Sequence, residues 1–92
     1  MERRREDRVR ATGTSKLTWL DGSLNRTQTV ALEDIASDGL RVRLVHPVKA
    51  RQMVRLEGLT SERMAAVRYC ERSGEEWVAG LELTTDLMTE LL

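Results

Sequence analysis

Asp34-Ile35-Ala36-Ser37-Asp38-Gly39-Leu40-Arg41-Val42-Arg43-Leu44 reads as a polar turn running into a strand. Leu40, Val42 and Leu44 alternate with Arg41 and Arg43. A period of two puts the apolar side chains on one face and the guanidiniums on the other, the pattern of a half-buried strand. Asp34 to Gly39 reads as a turn because an Asp side chain bonds nearby backbone N–H groups and Gly tolerates positive φ. His46-Pro47 ends the strand, since proline has no N–H to give a ladder.

The same pattern extends in both directions. Upstream, Leu17 and Trp19 alternate with Lys16 and Thr18, a strand from Ser15 to the turn at Asp21-Gly22. Residues 26 to 33 hold β-branched Thr27, Thr29 and Val30 and read as a second strand. Downstream, residues 52 to 57 form a strand closed by Gly58. Residues 62 to 72 and 76 to 83 form a hairpin around Ser73-Gly74. From Thr84, a plausible N-cap, the tail reads as a short helix, with Asp86 in its first turn and an apolar stripe of Leu87, Met88, Leu91 and Leu92. The expected fold is mainly all-β: a small six-stranded antiparallel β-barrel with a short C-terminal α-helix over an open end. Closure removes the exposed edges of so small a sheet. Residues 1 to 12, polar and without a periodic apolar face, read as a flexible arginine-rich arm. Residues 13 to 92 read as the barrel with its helix.

Composition bounds the function. With 92 residues, 40% apolar and 33% charged, the chain is one soluble globular domain near the low end of what folds alone. Its 15 basic and 15 acidic residues cancel. A general nucleic-acid binder carries a basic excess, so any anion site here is local. Only Lys16 and Lys49 are lysines, and the other basic residues are arginine. Cys70 is the single cysteine, which fits a reducing cytoplasm, and it sits in an apolar run as an inert thiol. No apolar stretch approaches the roughly 20 residues that span a bilayer, and the charged N-terminus is no signal peptide. The reading is cytoplasmic, with no membrane partner. Enzyme readings lack parts: there is no catalytic triad, P-loop, dinucleotide fingerprint or zinc spacing, and His46 is the only histidine. No catalytic residue, metal or cofactor is expected.

The N-terminal cluster Arg3-Arg4-Arg5-Glu6-Asp7-Arg8 contains R-x-x-x-R at Arg4 and Arg8. Guanidiniums suit phosphate and the O6/N7 edge of guanine, which accept paired hydrogen bonds. A carboxylate such as Asp34 suits the N1–H and N2–H donors of guanine's other edge. In this order and at this separation, the two segments resemble the PilZ domain, a family marked by R-x-x-x-R and then [DN]-x-S-x-x-G. The second element here is Asp34-x-Ala36-x-x-Gly39, with alanine where the motif has serine. The likeness continues through Gly39-Leu40-Arg41-Val42, Ala66 to Cys70 and Trp77 to Leu83, and covers roughly residues 2 to 83. The resemblance implies a six-stranded barrel that binds the bacterial second messenger cyclic di-GMP and signals without catalysis.

Carried over by that resemblance, Arg4 and Arg8 contact guanine edges and phosphates, with Arg5 adding positive potential. Asp34 bonds the Watson–Crick face of guanine, beside the turn-capping role ordinary for such an Asp. Gly39 is a backbone requirement for close approach. Arg41 either reaches a phosphate or faces solvent. Ala36 removes a hydrogen bond worth about 0.5–1.5 kcal/mol, an affinity loss of roughly tenfold or less, unless Ser37 stands in from one position along. Trp77 is either a stacking platform for a purine or a hairpin tryptophan packed on the barrel wall. Arg68, on a neighbouring strand, is a further candidate for lining the site. The expected partners are cyclic di-GMP and a protein partner or fused effector domain; the sequence sets no oligomeric state. A barrel that has lost nucleotide binding and serves as a protein-interaction adaptor is the alternative, supported by Ala36. A single-stranded nucleic-acid barrel is disfavoured by 3% aromatic content and zero net charge.

Overall fold

The protein was analysed as a computed structural model, which describes residues 9–36, 38–58 and 62–84. The arginines of the R-x-x-x-R segment, Ser37 and the expected C-terminal helix lie outside the described residues.

Strands β2 (Thr14–Asp21), β3 (Leu24–Ala36), β4 (Gly39–Leu44), β5 (Met53–Glu57), β6 (Arg63–Ser73) and β7 (Glu76–Leu83) pair antiparallel in the ring β3-β2-β5-β6-β7-β4. Pairing of β3 with β4 closes the ring. The result is a six-stranded antiparallel β-barrel, as the alternating runs predict. A short strand β1 (Val9–Arg10) adds to the outside edge of β3, with Val9 opposite Ile35 and Arg10 opposite Asp34. Residues 9 and 10 of the expected arm are thus tied to the sheet.

Inward-facing side chains fill the barrel. Leu17, Val30, Val42, Leu44, Val54, Leu56, Val67 and Leu81 are the largest fully buried side chains, with Trp19 and Val48 in the same core. Each fully buried side chain of this size is worth about 1.5–3 kcal/mol relative to exposure, so the alternation is what holds the ring closed. The β2–β3 hairpin turns at Gly22, whose φ of 69° favours glycine. The connection from β4 to β5 is pinned by buried Gln28: its amide accepts from the N–H groups of Val45 and His46 and donates to the carbonyl of His46.

One boundary differs from the sequence expectation. Asp34, Ile35 and Ala36 belong to β3, and β4 starts at Gly39, so the expected six-residue turn is mostly strand. Cross-strand pairing wins because Asp34, Ile35 and Ala36 all find partners on β4, in Arg41, Leu40 and Gly39. Nor does Gly39 adopt positive φ. It is glycine because a Cβ there would stand 2.3 Å from the carbonyl oxygen of Leu81 on β7.

Candidate functional site

Two β-bulges shape one wall of the barrel. On β3, Leu32 pairs with Val42 but Asp34 pairs with Arg41, so Glu33 is an extra residue. On β6, Val67 pairs with Leu81 but Tyr69 pairs with Gly80, so Arg68 is an extra residue. Without these insertions, the period of two would send Asp34 inward behind Leu32 and Tyr69 inward behind Val67. With them, both residues join the outer face.

The consequence is one rung across five strands. Arg10 pairs with Asp34, Asp34 with Arg41, Arg41 with Gly80, and Gly80 with Tyr69. Cross-strand partners share a face, so these residues lie side by side on the outer wall. Gly80 leaves room for the Tyr69 ring: a Cβ at Gly80 would stand 2.3 Å from Cε2 and 2.7 Å from Cζ of that ring.

Arg41 sits at the centre of the rung. Its Nη2 is 2.7 Å from Oδ2 of Asp34, a charge-assisted contact, and its Nε is 3.6 Å from Oε1 of Glu33. The Glu33 carboxylate is held from the other side by Arg43, whose Nε and Nη2 both lie 2.9 Å from Oε2. A hydrogen bond to the side chain of Tyr69 is the main influence holding the Arg41 guanidinium above its ordinary pKa; burial opposes it, and the charge of Asp34 and its hydrogen bond add to it. Arg41 therefore stays charged across physiological pH. What its pairing adds to stability is present below the ordinary arginine value and fades only as pH rises through the still higher folded one. Asp34 is only 8% exposed, an unusual position for a carboxylate on an outer wall. The Nε of Arg41 is buried without a hydrogen-bond partner.

Two clefts meet at this arginine. One, of about 310 Å³, is lined by Arg10, Ala11, Leu32, Glu33, Asp34 and Arg41. The other, of about 260 Å³, lies on the far side of Arg41 around Gly39, Arg68, Tyr69 and Gly80. Two carboxylates and two guanidiniums converge on the first cleft, a set that suits a planar edge carrying both donors and acceptors.

Of the residues expected from sequence, Asp34, Arg41, Gly39 and Ala36 come together here. Ala36 is buried, two residues beyond Asp34 and opposite Gly39. Arg68 borders the second cleft and faces Asp38 and Glu82 at 3.8 and 3.6 Å. Arg4, Arg5, Arg8 and Ser37 lie outside the described residues. Trp77 is not brought to the rung. It pairs with Leu44 and Arg72, packs against the core, and carries the Arg72 guanidinium 5.3 Å from its ring centroid. Sequence reasoning passed over Tyr69, Gly80, Glu33 and Arg10. One signal was present: a glycine inside a strand run, as at Gly80, marks a bulge or a close approach. Among the described residues no three His, Cys, Asp or Glu side chains gather where a metal would sit, and no helix is long and apolar enough to cross a membrane.

No family model matches the sequence, and no curated protein matches it. Among solved structures, the chain is similar to the inhibitor of motility MotI/DgrA of Bacillus subtilis, with a TM-score of 0.70 at 18% identity. The match covers 100% of this chain and 48% of that one, so the chain spans about half the length of the solved protein. The likeness is one of fold, and it agrees with the PilZ-like barrel implied by the two sequence motifs.

Proposed function

We propose that this protein is a cyclic di-GMP receptor domain, binding without catalysis and without a cofactor on the outer wall of its barrel. The observation that carries the reading is the Asp34–Arg41 pair, set on the outer face by the Glu33 bulge and bordered by β1, whose first residue follows Arg8 directly in the chain. A site built from both motifs requires the R-x-x-x-R segment near this carboxylate, and in the sequence that segment directly precedes Val9.

The chemistry follows from the groups. Asp34 accepts from guanine N1–H and N2–H, Arg41 moves from carboxylate to phosphate, and Arg4 and Arg8 take the second phosphate and the guanine O6/N7 edge. One internal ion pair is exchanged for several ligand contacts, so the site stays neutralised in both states. Engagement of the arginine segment by the ligand changes the surface offered to a protein partner or fused effector domain in the cytoplasm. The description of the structural neighbour as an inhibitor of motility is in keeping with an output delivered through a partner.

The test is a calorimetric titration with cyclic di-GMP, with GTP as control, on the wild type, Asp34→Ala, and the double variant Arg4→Ala/Arg8→Ala. Binding by the wild type that drops at least about tenfold in each variant is expected, since hydrogen bonds to charged groups are worth about 1.5–3 kcal/mol. Identical heats in all three proteins would sink the reading. Ala36, in the place of the motif serine, favours the second reading, an adaptor barrel that no longer takes nucleotide. That reading predicts unmoved amide resonances over residues 34 to 41 at millimolar messenger, together with a protein partner captured in its absence.

A further inference from the structure

Asp34 stands between two arginines on one rung: Arg41 pairs with it from β4, and Arg10 from β1 on the other side. Both carboxylates of the first cleft already have partners. Asp34 has Arg41 at 2.7 Å, and Glu33 has Arg43, whose Nε and Nη2 each lie 2.9 Å away. Arg10 lines the same cleft, yet its side chain is exposed and makes no ion pair or hydrogen bond among the described residues. Its backbone is nonetheless placed. Val9 and Arg10 pair with Ile35 and Asp34, and the N–H of Ala11 donates to the carbonyl of Glu33 at 3.0 Å. A guanidinium presented by paired backbone, with no acid to cancel it, receives an anion without first giving up an ion pair.

We propose that Arg10 is an anion-binding residue of the first cleft: it takes a phosphate oxygen of the ligand from β1 while Arg41 takes one from β4, so that the phosphate bridges the two strands that flank β3. The inference rests on the receptor reading for the identity of the ligand, but the placement of Arg10 does not depend on it. Neighbouring strands lie about 4.8 Å apart, so the backbones of Arg10 and Arg41 stand roughly 10 Å apart across Asp34, a span that two arginine side chains close from both sides. The pairing of β1 with β3 covers two residues. A phosphate that joins Arg10 to Arg41 therefore also fastens β1 to the barrel.

The experiment is calorimetry with cyclic di-GMP on wild type, Arg10→Ala and Arg10→Lys, beside hydrogen exchange of the Ala11 amide with and without ligand. Affinity should fall roughly tenfold in Arg10→Ala, the size of one hydrogen bond to a charged group, and its dependence on salt should weaken. Arg10→Lys should restore part of the loss, because the charge remains and only the paired geometry goes. In the free proteins the Ala11 amide should exchange alike in wild type and Arg10→Ala. Added ligand should slow that exchange in wild type only. Two results overturn the proposal. One is binding by Arg10→Ala within twofold of wild type. The other is faster Ala11 exchange already in the free Arg10→Ala protein with an affinity loss that lysine does not restore, which would make Arg10 a support of β1 alone. If the wild type gives no heat with cyclic di-GMP, the receptor reading fails and inorganic phosphate becomes the probe. Arg10 side-chain ¹⁵N–¹H resonances that move with phosphate then uphold Arg10 as an anion contact, and resonances that stay in place overturn it.

Discussion

The wall formed by β3, β4, β7 and β6 is interrupted by bulges at Glu33 and Arg68, whereas the pairs of β2 with β3 and with β5 run without a slip. On the regular wall, outward residues such as Lys16, Thr18, Arg55 and Glu57 face solvent, and their ion pairs are exposed contacts at 3.0 to 4.0 Å. Pairs of that kind are worth about 0–1 kcal/mol. On the bulged wall, a carboxylate is buried, an arginine is shared between two acids, and two clefts open. Strands of similar composition thus give an inert surface in one place and a polarised one in another. The difference is a single inserted residue per strand, which re-aims every side chain beyond it.

Deleting Glu33 tests this most severely. Restoring the period of two sends Asp34 in behind Leu32 or breaks the end of the β3–β4 ladder. Burying an unpaired carboxylate costs several kcal/mol. We expect a loss of about 3 kcal/mol or more in urea unfolding, along with loss of messenger binding. A deletion variant within about 1 kcal/mol of wild type would mean that the bulge is not what keeps Asp34 outside. Gly39→Ala comes next, on the same wall. Its Cβ would meet the backbone oxygen of Leu81, which cannot move without opening the β4–β7 ladder, so about 2–3 kcal/mol of destabilisation is expected. Gly80→Ala meets only the end of a side chain and should cost less in unfolding.

These two substitutions also mark where the sequence stops being readable. Alternation located the strands because Leu17 and Trp19, or Leu40, Val42 and Leu44, must face one core. Asp34 and Gly39 stood out as candidates from the motif and Arg41 from its place two residues on, and the strand pairing brings the three together. The rung was not legible. A bulge leaves no mark in hydropathy, since Glu33 and Arg68 are ordinary polar residues, and only pairing shows that they are extra. Tyr69 was hidden for the same reason: counted by twos from Val67, it belongs in the core. Asp34 to Gly39 looked like a turn because local Asp and Gly chemistry says so, whereas the β4 ladder overrides it as far as Ala36.

Ala36→Ser sharpens the contrast in the favourable direction. It adds a hydroxyl two residues from Asp34, in the register that completes the motif. An added hydrogen bond is worth about 0.5–1.5 kcal/mol, so messenger affinity should rise by up to roughly tenfold. Calorimetry on the variant beside wild type measures it. Weaker binding in the serine variant would show that the buried position at Ala36 has no space for the hydroxyl, and that the substitution marks a remodelled site.

The smallest effect belongs to the regular wall. Lys16→Ala removes a partner 4.0 Å from Glu57, on a strand whose pairings with β3 and β5 run without a bulge. Both side chains are well solvated, so the pair is screened and its loss should stay within about 0.5 kcal/mol in urea unfolding. Messenger affinity should not change at moderate salt, because Lys16 lies on β2, away from the Asp34–Arg41 rung. A several-fold loss of affinity in this variant would mean that the ligand reads the general charge of the barrel and not the bulged wall. The division between the two walls would then be structural only, with no bearing on recognition.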